Sequence, residues 1–260
     1  MDQKVINVYK KSGQTPLECI QKLKNAHLEL RHVPLSYAGR LDPLAEGVLL
    51  ILVGDECLKK DDYLALDKEY EMTILFGFST DTYDVMGLVD ESKESQDLIE
   101  DISDKVSHIL PQFVGRISQK YPAYSSRTVD SKPLFQWARE GKLDEIVIPS
   151  HDVFIKSINI VSSGSVSSEE FRKKIHEMIT AVHGDFRQDQ ILGIWNKILR
   201  PLPEKEFPVL TLRIVSGSGV YVRALAHDIG QALGIPALAL GIVRTRVGDY
   251  RNPEYQQEMI

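Results

Sequence analysis

The sequence predicts an α+β fold: a mixed, mainly antiparallel sheet flanked by helices, with a long loop inserted to one side. Two observations carry this. Several short stretches are apolar in alternation or throughout, as strands are, and between them lie capped stretches with helical apolar spacing. The two kinds are mixed without a strict βαβ rhythm, which disfavours a doubly wound parallel sheet. With 260 residues, 43% of them apolar and 26% charged, the chain is long enough for a sizeable core of ordinary globular composition. No internal repeat, low-complexity segment or linker divides it, so a single domain over 1–260 is expected.

Taken in order, "VINVYK" is a short strand. "TPLECIQKLKNAHL" is a helix, with Thr15 as cap, Pro16 at the first helical position and Glu18 completing a capping box. Its apolar stripe is Leu17, Ile20 and Leu23. "VLLILVG" is a fully buried strand. In "EYEMTILFGF", Tyr70, Met72, Ile74, Phe76 and Phe78 alternate with Glu71, Thr73, Leu75 and Gly77, which predicts a half-buried strand with an antiparallel neighbour. Residues 92–110 read as an acidic helix, and "QKYPAYSSRTVDSKP" as a long loop of the kind that carries function. "LFQWAREGK" is a short helix stopped by Gly141, and "DVFIKSINIVSSGS" a strand running into a turn. "SSEEFRKKIHEMITAVHG" begins with serine caps and places Phe171, Ile175, Met178, Ile179 and Val182 on one face. "VLTLRIV" alternates as a strand. "VYVRALAHDIGQALG" is a helix with Val222, Leu225, Ile229 and Leu233 inward and Gly234 as terminator.

Composition narrows the function. No apolar stretch approaches a membrane span, and "MDQKVINVYK" lacks a signal-peptide pattern. Cys19 and Cys57 form no CxxC pair and stand apart from histidines, which argues against disulfide and zinc frameworks and for a reducing, cytoplasmic setting. Net charge of −6, taken alone, argues against a nucleic-acid binder. Its distribution does not: residues 116–142 carry Arg116, Lys120, Arg127, Lys132, Arg139 and Lys142 against Asp130 and Glu140. Arg213, Arg223, Arg244 and Arg246 form a second basic set, so a polyanionic partner stays open.

No Walker sequence, dinucleotide fingerprint or nucleophile elbow is present. "SGSG" before a helix is a phosphate cradle or simply a turn. His176 and His183 lack the spacing of a metal pair. In "YAGRLDPLAEG", Asp42 and Pro43 suit a turn, yet a carboxylate on a turn beside a buried strand also presents a nucleophile. Arg223, off the apolar stripe of its helix, is either a surface arginine or one aimed at a buried carboxylate or phosphate. Tyr70 alternates with core residues, and Asp81, Asp84 and Gly87 suit a structural turn.

Together these segments resemble the TruB-type tRNA pseudouridine synthases. "GRLDPLAEGVLLILVG" resembles their G-x-L-D-P-x-A-x-G signature with its following strand. "KKSGQTP" resembles K-P-x-G-x-T/S, with Lys11 where proline is usual. "DKEYEMTILFGFSTDTYDVMG" is similar to the family's K-x-Y strand and T-D-T-x-D-x-x-G turn. "YPAYSSRTVDSKPLFQWAREG", "GVYVRALAHDIGQALG" and "RTRVG" follow in the family's order.

The resemblance implies that Asp42 is a nucleophile toward a uridine flipped from the T-stem-loop of tRNA, whose glycosidic bond breaks and reforms at C5. No metal, ATP or redox cofactor is implied. Arg223 would partner the carboxylate, an arrangement that keeps such a group ionised in a partly dry pocket. Tyr70 would stack on the uracil and assist proton movement. Lys120, Arg127 and Lys132 of the 116–142 loop would grip RNA, with Tyr124 adding contacts. Tyr37, Gly39 and Arg40 would line the substrate site, Arg40 meeting phosphate or solvent, and Ile242 would sit behind the nucleophile or serve packing. A cytoplasmic monomer without membrane contact is expected.

Three departures stand out. Tyr37 occupies the place of a histidine in the family's G-H-T-G; it stacks but cannot become cationic near neutral pH. Residues 165–205 look like an inserted helical stretch, serving as RNA grip, partner surface or packing, with packing favoured by Phe171 to Val182. The ending "GDYRNPEYQQEMI" leads to the expectation of no small C-terminal RNA-binding domain.

Overall fold

An edge strand, β1 (Val5–Lys10), opens the fold in this computed structural model, which describes residues 4–93, 101–202 and 204–252. Helix α1 (Pro16–Ala26) starts where Thr15 Oγ1 accepts from the Glu18 amide and Glu18 accepts from the Thr15 amide, satisfying two otherwise orphaned donors. Its buried side is Pro16, Cys19 and Ile20. Leu17, expected in the stripe, is 68% exposed, because the helix rests on the strand through the next residues round the turn.

Strands β2 (Leu35–Ala38) and β3 (Glu46–Val53) follow. Residues Val48 to Leu52 have no exposed surface, as the continuous apolar run predicts. Val48, Leu50 and Leu52 face one cluster with Ala38 and Val247, while Leu49 and Ile51 face Cys19 and Ile20 of α1. Each such side chain contributes roughly 1.5–3 kcal/mol by leaving water. Helix α2 (Lys60–Ala65) then leads into β4 (Lys68–Phe76), the centre of the sheet.

Strands β5 (Phe78–Thr80) and β6 (Val89–Ser92) form a side hairpin around the Asp81–Gly87 turn. Helix α3 (Ile102–Ile109) is the described part of the acidic helix; the expectation for 94–100 lies outside the described residues, and Ser92 belongs to β6. Strand β7 (Gly115–Lys120) takes the first residues expected in the long loop. The loop itself contains a two-rung hairpin, β8 (Thr128–Val129) with β9 (Lys132–Pro133), and runs into α4 (Leu134–Arg139).

Strand β10 (Ser150–Ser167) corrects one expectation: "SSGS" is not a turn but continues the strand. Those residues pair with a distant partner, Gly164 against Val209 and Ser165 against Pro208, and that pairing overrides their turn preference. Helices α5 (Ser168–Thr180) and α6 (Gln188–Leu199) are carried at the tip of this ribbon, before β11 (Glu206–Ser216) returns. Ser167 and Glu170 make the capping box of α5. Helix α7 (Val222–Leu233) begins two residues later than "VYVR" suggested and ends at Gly234, whose φ is +65°. Strand β12 (Ala237–Val247) and the short β13 (Tyr250–Arg251) complete the chain.

The main sheet has the order β1-β3-β12-β4-β11-β10-β7. Its pairs are antiparallel except β12 with β3. On one face Tyr70, Met72, Ile74 and Phe76 meet α3 and α7 through Val106, Val222, Leu225 and Ile229. The other face is half-buried at Glu69, Glu71 and Thr73, as expected of β4, and becomes covered at Leu75, which packs with α5 and α6 through Phe171, Ile175, Ile179 and Trp195. Trp195 lies edge-on to Phe78 and Phe171, with ring centroids 5.3 and 5.2 Å apart. Packing is thus one task of the inserted stretch, as its apolar face predicted.

Candidate active site

The turn between β2 and β3 is held by its backbone. Lys10, with no exposed surface, donates from Nζ to the carbonyl oxygens of Asp42 (3.1 Å), Pro43 (3.1 Å) and Ala45 (2.5 Å). Burial pushes its ammonium down to about 8, against the pull of nearby Asp42 and Glu46. Arg244, 2% exposed, donates from Nε to Val48 O (2.8 Å) and from Nη2 to Gly39 O (3.0 Å). Gly39 and Gly47, with φ of +83° and +110°, adopt backbone that other residues disfavour, and both press on Arg244. Two buried cations therefore fix both ends of the turn, leaving the Asp42 side chain 38% exposed.

Arg223 stands in the first turn of α7 and is 4% exposed. Gln119 places that helix start, accepting from the Tyr221 amide (2.8 Å) and donating to the Tyr221 carbonyl (3.1 Å). The guanidinium donates from Nε to Asp42 Oδ2 (2.8 Å), from Nη1 to Thr82 O (2.5 Å) and from Nη2 to Tyr124 O (2.8 Å). One side chain thus joins the Asp42 turn, the Asp81–Gly87 turn and the long loop. Its rigid fork serves three acceptors at once, which a lysine cannot do.

Asp84 accepts from Thr82 Oγ1 (2.7 Å) and the Met86 amide (2.9 Å), so it does shape a turn as the sequence suggested. It also lines the cleft, where desolvation pushes its carboxyl up to about 6 despite the proximity of Arg223.

Tyr70 on β4 is paired across strands with Arg244 and Ile214, which sets its side chain beside the Arg244 guanidinium in the cleft wall. Ile242, on the same strand as Arg244, stands beside it in the wall. Lys68 is buried at the floor, donates to the carbonyls of Leu64 and Leu66, and is pushed down to about 8 by burial.

These groups surround a cleft of about 1110 Å³. The structure brings Asp42, Tyr70, Arg223, Tyr37, Gly39, Arg40, Tyr124 and Ile242 to its wall. Arg40 reaches Tyr37 Oη at 3.4 Å. Lys120, Arg127 and Lys132 lie off the cleft. Lys120 is exposed at the end of β7, and Arg127 stands over the Tyr121 ring at 5.1 Å. Lys132 is held by Glu140 (2.8 Å) and the Trp137 ring (3.4 Å). Among the described residues, no group of three or more His, Cys, Asp or Glu side chains is arranged to hold a metal ion. His183, which lacks the spacing of a metal pair with His176, faces Glu18 at 3.0 Å.

Sequence reasoning missed Lys10 and Lys68, and it named Arg244 only within a basic set, not as a buried support of the turn. A signal existed for Lys10: it continues the Ile6 and Val8 positions by steps of two, a lysine on an inward-facing register. Arg244 follows Ile242 by the same step.

The chain is similar to known proteins in sequence and in fold. Residues 28–184 match the family described as TruB family pseudouridylate synthase (N terminal domain). The chain is 32% identical to tRNA pseudouridine synthase B of Nostoc sp. over 94% of its length and 67% of that protein's. It is 30% identical to tRNA pseudouridine synthase B of Fusobacterium nucleatum over 95% of its length and 68% of that protein's. It therefore spans about two thirds of the length of these relatives. Among solved structures, a Cbf5-Nop10-Gar1 complex contains a similar fold, with TM-score 0.57 and 19% identity over 96% of this chain and 50% of that one. An H/ACA RNP bound to a substrate RNA containing 2'-deoxyuridine gives TM-score 0.54 and 20% identity over 96% and 49%. The chain thus spans about half the length of those solved chains. The chain belongs to the TruB family of pseudouridylate synthases.

Proposed function

We propose that this chain converts a uridine in the T-loop of tRNA to pseudouridine, with Asp42 as nucleophile, Arg223 as its partner and Tyr70 beside the base. Family membership and relatives named tRNA pseudouridine synthase B support isomerisation of uridine in tRNA. The single observation that carries the residue assignment is the contact between Arg223 Nε and Asp42 Oδ2 at the wall of the cleft. It fixes the carboxylate by one oxygen and leaves the other, Oδ1, for attack. A bidentate grip would have occupied both.

The target nucleotide must leave its stack to enter a cleft this deep, and an aromatic wall stabilises an extruded base. Tyr70 offers that wall, beside the buried guanidinium of Arg244. The carboxylate bonds to the ribose C1′ as the bond to the ring nitrogen breaks, the uracil turns within the cleft, and C5 then bonds to C1′ as the carboxylate leaves. The C5 proton leaves and the ring nitrogen gains one, so no external reactant enters. Ile242 and Met86 keep part of the wall apolar, which favours a planar base over water. Outside the cleft, Lys120 and Arg127 meet phosphates in this reading, supported by their positive charge and exposure.

The test is pseudouridine formation in an unmodified tRNA transcript, with wild-type protein beside Asp42→Asn. Conversion at the T-loop uridine that vanishes in the variant, with RNA binding kept, is the expected result. Binding without conversion by the wild type points instead to a tRNA chaperone, and conversion only in another RNA moves the substrate.

A further inference from the structure

The connection between α5 and α6, residues 181–187, lines the cleft through Phe186 and Arg187 and touches three parts of the site. On one side it meets the segment ahead of α1: a Cβ on Gly13 would stand 2.6 Å from Ala181 O, and His183 Nδ1 lies 3.0 Å from Glu18 Oε1. On the other side Arg139 of α4 donates to Asp185 O at 2.6 Å. Between them Arg187 grips Asp81 with both Nη atoms, at 2.8 and 3.2 Å. Its guanidinium carbon also stands 4.5 Å from the centroid of the Tyr124 ring.

Tyr124 is the residue whose carbonyl accepts from Arg223, so the contacts run unbroken from Asp42 through Arg223 and Tyr124 to Arg187 and Asp81. Arg187 itself has φ +64°, a backbone that glycine adopts freely and other residues disfavour. An arginine kept in that conformation indicates that its side-chain contacts outweigh the strain. The loop it meets has little structure of its own, only the two-rung β8–β9 hairpin.

We propose that Arg187 is a positioning residue: it holds Tyr124 and the loop of residues 121–133 against the cleft before RNA arrives, and thereby sets affinity for the RNA. This rests on the reading of the cleft as a uridine-isomerising site. A loop ordered in advance loses less conformational freedom on binding, so the gain falls in KM rather than in the chemical step.

The experiment is hydrogen exchange on the intact chain without RNA, paired with steady-state kinetics on a tRNA transcript. In Arg187→Ala, amides of 121–133 should exchange about tenfold faster while those of β11 are unchanged, and KM should rise about tenfold with kcat within about twofold. Arg187→Lys, which keeps the charge without the fork, should fall between. A double-mutant cycle with Asp81→Asn should show coupling, since the two residues share one contact. Unchanged exchange in 121–133, or a fall in kcat at constant KM, overturns the proposal. Should β11 amides also accelerate in Arg187→Ala, Arg187→Lys decides by the same two readouts. Absence of pseudouridine formation by the wild type would defeat the reading of the cleft, and the exchange result would still judge the latch.

Discussion

Gly47 lies so close to Arg244 that a Cβ added to it would stand 2.2 Å from the Arg244 carbonyl oxygen. The contact is backbone against backbone where β3 and β12 run parallel, so no side chain can swing aside. Gly47→Ala should therefore destabilise the fold by about 2–4 kcal/mol, adding the strain of φ +110° to the clash. Urea unfolding monitored by circular dichroism measures it. An unchanged midpoint would mean that the strands part without cost.

Asp42→Asn keeps an oxygen for Arg223 Nε to meet, so stability should change by no more than about 1–2 kcal/mol. Pseudouridine formation should fall by on the order of a thousandfold or more, because an amide is a poor nucleophile. Mass spectrometry of labelled transcript reads the product, and residual activity near wild type would exclude Asp42 as the attacking group.

Arg223→Lys separates charge from geometry. Three acceptors in three segments depend on one guanidinium, and an ammonium reaches fewer of them. A loss of about 2–4 kcal/mol in unfolding free energy is expected, from buried acceptors left unpaired. A thermal midpoint equal to wild type would show that the carbonyls of Thr82 and Tyr124 find other donors.

Lys10 gives a pH signature. Its folded value of about 8 lies below the ordinary 10.5, so between those limits the unfolded chain holds more protons. The penalty of burying the ammonium is fully present below pH 8 and is relieved as pH rises toward 10.5, an effect of roughly 3 kcal/mol. Lys68 titrates in the same window, so the measurement is the difference between wild type and Lys10→Met. Across pH 8 to 10.5 that difference should move in favour of the wild type. A flat difference would mean that Lys10 keeps its proton throughout.

Outside the cleft, Arg127→Ala should weaken tRNA binding and lower the salt slope by about one phosphate contact. Lys132→Ala should change the slope less, since Glu140 and Trp137 already engage that ammonium. Filter binding over a range of salt compares the two, and equal slopes would contradict the difference.

What could be read ahead of the structure was local. The capping boxes at Thr15 and Ser167, the stop at Gly234 and the buried run at Val48 to Leu52 each depend on neighbours a few residues away. Asp42, Tyr70 and Arg223 were reached because their surrounding segments resemble a family, and the structure gathers all three at one cleft. What escaped was non-local. Leu17 points away from the core because of how α1 seats on β3, and Ser163 to Ser165 stay extended because β11 pairs with them. Lys10 and Arg244 acquire their partners only when strands far apart in sequence come together. Arg187 meets Asp81 and Tyr124 by the same route.

The ribbon of β10 and β11 remains paired up to Ser167 and Glu206, on either side of the two helices that it carries. Hydrogen bonding below that point does not depend on what is mounted above it. The tip is thus anchored twice, by the ribbon at its base and by Arg187 on Asp81 and Tyr124 at its far side. A change in how those two helices seat is therefore felt at the cleft, even while the ladder beneath them keeps its register.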